Sequence, residues 1–185
     1  EHTNSNDTAQ DFFDIDFASS TDAWAVAENG VIFHYNGTNW TEFTDVGSAD
    51  FNAVDVVSTS DVWAVAENGR IYNYDGSSWS QDTDTGSEDW NEIDMLSATQ
   101  GWTVGDSGAV AEYNGSSWSE TTVPSSADIY SVAAVSATDV WASGSSGRFW
   151  HYSSSGLAWN EHTNSNDTAQ DFFDIDFASS TDAWA

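Results

Sequence analysis

Asp16, Asp55 and Asp94 are spaced by 39 residues, and Asp176 holds the same place in a later unit, with Ala133 the one substitution in the series. Carboxylates at one position of successive repeats, turned toward a common axis, would gather cations, and oxygen ligands suit Ca²⁺ or Mg²⁺. The plainer account is that each aspartate accepts backbone hydrogen bonds and fixes its own repeat. A second candidate for Ca²⁺ or another cation is the acidic loop containing Asp82, Asp84 and Glu88. Its counterparts at 45–50 and 123–128 keep the frame with fewer acids, and a solvated loop accounts for it equally simply. His34 and His151 correspond to each other, with Asn73 and Glu112 at the matching positions, and read either as metal ligands or as exposed strand residues.

Catalytic chemistry finds little support. Recognition of a sugar carboxylate by bidentate bonds asks for several arginines, and the chain has two basic residues, Arg70 and Arg148. A glycosidase needs two carboxylates ~5–10 Å apart, which 31 acids satisfy at some place by chance. Neither a Ser/His/Asp triad nor a phosphate-binding loop is present. The expectation is a protein without catalytic residues and without a cofactor other than a cation.

Charge narrows the partners. With 31 acidic against 2 basic residues the formal net charge is −29. Such a surface repels nucleic acid and anionic headgroups. One reading is a halophile, since in molar salt the Debye length falls to ~3 Å and self-repulsion is screened. The other is an extracellular protein that binds divalent cations. The lack of lysine favours the first. No cysteine is present, which excludes disulfides and thiolate metal sites. No apolar run approaches the ~20 residues of a membrane helix, so membrane insertion is not expected. The chain nevertheless has the means to fold, because 11 Trp, 10 Phe and 6 Tyr are present. Each buried aromatic removes ~150–250 Å² from water, a gross gain of ~4–6 kcal/mol.

The elements that would position these residues follow from repetition. Trp24, Trp63, Trp102 and Trp141 recur every 39 residues; Trp40, Trp79, Trp118 and Trp159 recur at 39, 39 and 41. Within each unit four strand-sized runs alternate with turn signals. The first run alternates with period two, as in Phe13-Asp14-Ile15-Asp16-Phe17. The second carries the first Trp, as in Ala23-Trp24-Ala25-Val26-Ala27, and ends at Asn29-Gly30, Asn68-Gly69, Ser107-Gly108 or Ser146-Gly147, pairs that accept the positive φ of tight hairpins. The third is aromatic, as in Arg70-Ile71-Tyr72-Asn73-Tyr74, and the second Trp opens the fourth. No apolar pattern of period 3.6 persists. A repeated four-stranded antiparallel unit of about 40 residues predicts an all-β chain of β-propeller blades, with the tryptophans wedged between them. A β-solenoid is the alternative.

Residues 161–185 repeat residues 1–25 without a change, at an offset of 160. Such identity marks a recent duplication or a deliberate overlap, and either suggests a window on a longer periodic array. The expected division is four blades over 1–160 (about 1–40, 41–79, 80–118 and 119–160). Residues 161–185 would then complete the outer strand of the fourth blade and begin a fifth. Glu1-His2-Thr3 and residues 161–163 compete for that outer-strand slot. An unfinished blade leaves strand edges open, so self-association, or continuation of the array through open blade edges, is expected.

The string Asp61-Val62-Trp63-Ala64-Val65-Ala66-Glu67-Asn68-Gly69, followed by Tyr74-Asp75-Gly76-Ser77-Ser78-Trp79, resembles the Asp-box, or bacterial neuraminidase, type of propeller repeat. Repeats of photosystem II assembly factor-like propellers and related surface proteins are the most similar. The resemblance spans essentially the whole chain, although its Asn-Gly and Asp-Gly pairs are contiguous where the Asp-box has an intervening residue. It implies binding and scaffolding more often than catalysis. The sequence therefore points to a non-enzymatic structural or adhesive module of an extracellular or cell-surface protein. A lectin-like propeller with aromatic side chains stacked on a glycan is the alternative, and a glycosidase ranks third.

Overall fold

The computed structural model describes residues 10–43, 46–153, 158–162, 169–179 and 182–185. Each hairpin signal has become a turn between adjacent antiparallel strands, and the result is four separate four-stranded sheets. Blade 1 holds β1 (Phe12–Ser19), β2 (Asp22–Ala27), β3 (Ile32–Tyr35) and β4 (Trp40–Phe43). Blade 2 holds β5 (Phe51–Ser58), β6 (Asp61–Ala66), β7 (Arg70–Tyr74) and β8 (Trp79–Asp84). Blade 3 holds β9 (Trp90–Ser97), β10 (Gln100–Gly105), β11 (Ala109–Tyr113) and β12 (Trp118–Thr122). Blade 4 holds β13 (Ile129–Ser136), β14 (Asp139–Gly144), β15 (Phe149–Ser153) and β16 (Ala158–His162). A two-stranded sheet, β17 (Asp176–Ser179) with β18 (Asp182–Trp184), follows. A solenoid would share strands between coils; here every four-stranded sheet is closed within one repeat. Among the described residues no helix is long and apolar enough to cross a membrane.

The division at 40, 79 and 118 is corrected by the strand bounds. Trp40, Trp79 and Trp118 open the outer strands β4, β8 and β12, so each sheet runs several residues past those points. In blade 4 the outer slot belongs to β16, where Glu161 pairs with Trp150 and His162 with Phe149. Residues 1–3, the rival for that slot, lie outside the described residues.

The turns obey local chemistry. Asn68 and Gly69 both have positive φ, 60° and 72°. A Cβ at Gly69 would lie 2.3 Å from the Thr85 carbonyl oxygen, because the chain leaving β8 crosses directly over this turn. At the next turn Asp75 Oδ1 accepts from the Ser77 and Ser78 N–H groups, both at 2.9 Å, closing the loop without help from another element.

Hydrophobic burial lies between the sheets. One cluster joins Trp24, Val26 and Ile32 of blade 1 to Phe51, Val62, Ala64, Tyr72 and Tyr74 of blade 2. The second joins Trp63, Val65 and Ile71 to Trp90, Ile93 and Trp118, and the third joins Trp102, Val104 and Val110 to Ile129, Val140, Trp150 and Trp159. Period-two alternation places Trp63 and Val65 on one face of β6 and Val62, Ala64 and Ala66 on the other. Trp24 meets Tyr74 and Trp79 of the next blade at ring-centroid distances of 4.7 and 5.4 Å, and Trp63 meets Tyr113 and Trp118 at 4.8 and 5.6 Å.

Trp102→Ala is expected to cost about 3–5 kcal/mol of stability, as large-to-small changes at buried aromatics do. Leu96→Ala, at an exposed side chain, is expected to cost less than about 0.5 kcal/mol. Urea unfolding curves of the two variants check the contrast.

Candidate functional site

The inner strands β1, β5, β9 and β13 lie side by side in sequence order. Their carboxylates cross from one blade to the next. Asp14 Oδ2 accepts from Val54 N–H and Asp16 Oδ2 from Val56 N–H, each at 2.8 Å. Asp55 accepts from Met95 N–H, and Asp94 Oδ2 accepts from Ala134 N–H at 2.6 Å. The aspartates thus tie their own blade to the following one, which corrects the expectation that each fixes its own repeat. At Ala133, where the carboxylate is missing, Ser131 takes over from two residues earlier. Its Oγ accepts from Ile175 N–H at 3.2 Å and bonds Asp174 Oδ1 at 3.2 Å. Among the described residues Asp176 accepts from its neighbour alone, Phe177 N–H, at 2.7 Å.

A second tie runs in the opposite direction, and the sequence reading missed it. Asp50 Oδ1 accepts from Asn29 N–H at 2.8 Å, Asp89 from Asn68 at 2.8 Å, Asp128 from Ser107 at 2.9 Å and Asp171 from Ser146 at 2.9 Å. Each acid precedes an inner strand and accepts from the positive-φ turn of the blade before. The signal was present, because Asp11, Asp50, Asp89, Asp128 and Asp171 occupy one repeat position without exception. Asp50, Asp89 and Asp128 sit at the ends of loops that read as solvated, which hid the pattern.

The inner strands border an open hollow of about 320 Å³ lined by Asp14, Asp16, Asp55, Glu92, Asp94, Asp174 and Asp176. No cationic side chain lines it. Burial pushes the Asp55 carboxyl up to about 7, with the charges of Asp94 and Asp16 adding to the effect against the Met95 N–H bond. Burial, with the charge of Asp14, pushes Glu92 up to about 8. Asp14 and Asp94 are also raised, by burial first. Among the described residues no three carboxylate or imidazole groups converge to hold a metal ion. Asp16, Asp55 and Asp94 each have one oxygen committed to a neighbouring strand. Asp82 and Glu88 stand in or after β8, and the Asp84 side chain lies outside the described residues.

The histidines are half-buried, which corrects the expectation of exposed strand residues. His34 stacks on Trp24 at 4.2 Å and its Nε2 bonds Asp22 Oδ1 at 3.0 Å. His151 repeats this on Trp141 at 4.0 Å, with Asp139 at 2.7 Å. In blade 2 Asn73 bonds Asp61 at 3.0 Å in the same place, so the position braces the wedge tryptophan. Arg148 lies 3.6 Å from Glu161 at the surface.

No protein-family model and no curated protein matches the chain. Solved structures do. YCF48 bound to D1 peptide superposes with a TM-score of 0.70 at 19% identity, over 92% of this chain and 58% of that one. The fold is a β-propeller. YCF48 from Cyanidioschyzon merolae gives 0.68 at 20% identity over 92% and 61%, and the RRP9 WD40 repeats give 0.67 at 17% over 92% and 57%. This chain therefore spans about three fifths of the length of these three propellers.

Unfolded, Asp55 and Glu92 ionise near 3.8 and 4.5; folded, they hold protons to about 7 and about 8. Across that window the folded state binds more protons than the unfolded state, so stability falls as pH rises and levels off above the folded values. Urea midpoints between about pH 4 and about pH 8 should fall accordingly. Asp55→Asn and Glu92→Gln together should flatten the slope, because Asn keeps an acceptor for Met95 N–H but cannot ionise.

Proposed function

We propose that this chain is a non-enzymatic β-propeller module whose role is structural or adhesive, built for a salt-rich extracellular or cell-surface setting. One observation carries the reading. The acids of the inner strands, where the sequence concentrates its reactive groups, are spent on joining one blade to the next. A carboxylate whose oxygen accepts a neighbouring strand's N–H holds structure, and it is poorly placed to shuttle protons to a substrate. The net charge of −29 supports the halophilic setting, since a surface of one sign repels itself unless salt screens it. The repeats are similar to those of Asp-box and photosystem II assembly factor-like propellers, which supports binding and scaffolding over catalysis.

A ligand-binding propeller is the second reading. A neighbouring structure, YCF48, is bound to D1 peptide, which favours a peptide as ligand class. A glycan is the other class, because the exposed Phe13 and the half-buried Trp40 flank an apolar hollow of about 400 Å³.

Dialysis from about 1 M NaCl, where the Debye length is ~3 Å, to about 0.01 M, where it is ~30 Å, should lower the thermal midpoint. KCl should restore it as well as NaCl does. Restoration by millimolar CaCl₂ alone would overturn the halophilic part in favour of divalent sites. Saturable binding of one sugar on a glycan array at both salt concentrations would overturn the purely structural part.

A further inference from the structure

We propose that the groove between blades 3 and 4 binds an arginine side chain of a peptide segment, with Glu112 as the paired carboxylate. The site is separate from the apolar hollow beside Phe13 and Trp40, and it stands whether or not the propeller's main role is structural. It lies where blade 3 departs from the other blades. His34, Asn73 and His151 sit opposite Trp24, Trp63 and Trp141 on the paired second and third strands. Each bonds an aspartate of its own second strand: Asp22 at 3.0 Å, Asp61 at 3.0 Å and Asp139 at 2.7 Å. Glu112 holds this place in blade 3, opposite Trp102, and Gln100 stands where the other blades have the aspartate. No hydrogen bond joins Gln100 to Glu112, and among the described residues the Glu112 carboxylate accepts none, so both its oxygens are uncommitted.

Strand alternation puts Glu112 on the face of β11 that carries Val110, the face that packs against blade 4. There Glu112 is half-buried and lines a groove of about 450 Å³ with Ser119, Glu120, Thr121, Tyr152 and Trp159. Burial first, and the charge of Glu112 second, push the Tyr152 phenol up, so the phenol stands within the field of that carboxylate. At the first two junctions the counterparts of Tyr152 and Trp159 are packed against a wedge tryptophan, Tyr74 and Trp79 on Trp24, Tyr113 and Trp118 on Trp63. At the third junction they also form a wall of the groove.

The lining is acidic, hydroxylic and aromatic, and no cationic side chain belongs to it. The ligand must therefore bring the positive charge. A guanidinium meets both oxygens of one carboxylate at once, lies flat on an aromatic ring and sheds its water more readily than an ammonium does. Glu112 supplies the first of these partners, and Tyr152 with Trp159 supplies the second. The inner-strand aspartates that bond the next blade are not available in this way, since each has an oxygen committed to a backbone N–H. With a net charge of −29 the whole surface attracts cationic segments, and the groove is where one arginine is selected.

The capped tripeptide Gly-Arg-Gly, titrated into the isotope-labelled chain in about 0.3 M NaCl to screen exposed charges, should bind saturably. Amide shifts should concentrate at Glu112, Ser119, Tyr152 and Trp159. The lysine tripeptide and the uncharged citrulline tripeptide should each bind about tenfold more weakly or worse. Glu112→Gln should weaken the arginine tripeptide by a similar factor; it removes one of 31 acids, so adhesion by net charge alone would hardly change. Gln100→Asp combined with Glu112→His rebuilds the brace of blades 1 and 4, and should abolish binding while the thermal midpoint holds or rises. That variant separates loss of the site from loss of the fold. Absence of saturation, equal binding of the lysine tripeptide, shifts spread over the whole surface, or binding undiminished in either variant would overturn the proposal.

Discussion

A four-stranded sheet of short strands with apolar residues on both faces cannot cover itself, and the structure is organised by that constraint. Blades 1, 2 and 3 each donate a tryptophan from the second strand to the interface with the blade after it. The three hydrophobic clusters are therefore interfaces, and the unit of stability is the pair of neighbouring blades. The face of blade 1 that bears Phe12 and Ile15 is where the constraint goes unmet within the described residues.

Packing of apolar faces is forgiving of small slides, so hydrogen bonds are needed to set the register between blades. Aspartate ties in both directions do so at the junctions of blades 1 to 4, from the inner strand forward and from the head of the next inner strand back. Because each tie ends on a backbone N–H, it does not depend on the side chain at the receiving position. That is why Val56, Met95 and Ala134 can differ while receiving equivalent bonds. The same economy crowds carboxylates around the axis, and burial there raises several of their pKa values. Register and charge repulsion are thus two consequences of one set of residues.

Much of this was legible beforehand. The Trp series and the hairpin dipeptides placed the strands, because turn chemistry is local and period-two alternation needs no tertiary information. The inner-strand aspartates were recognisable as a repeated position, but their direction was not: whether Asp16 bonds its own sheet or the next depends on how two sheets 40 residues apart approach each other. The Asp50 series was overlooked because a residue at a loop end looks solvated until the neighbouring turn arrives above it. His34 likewise looked exposed until Trp24 was seen to lie flat against it.

What the sequence by itself determined is the blade: four strands, their turns and the two faces each presents, all set by backbone propensity and alternation within about 40 residues. What only the tertiary structure decided is how blades meet. The destination of each carboxylate, the protonation of Asp55 and Glu92 and the contrast between Ile15 outside and Ile175 inside all arise there. Two identical stretches of chain cannot be told apart by local chemistry; they differ because one has a blade to lean on.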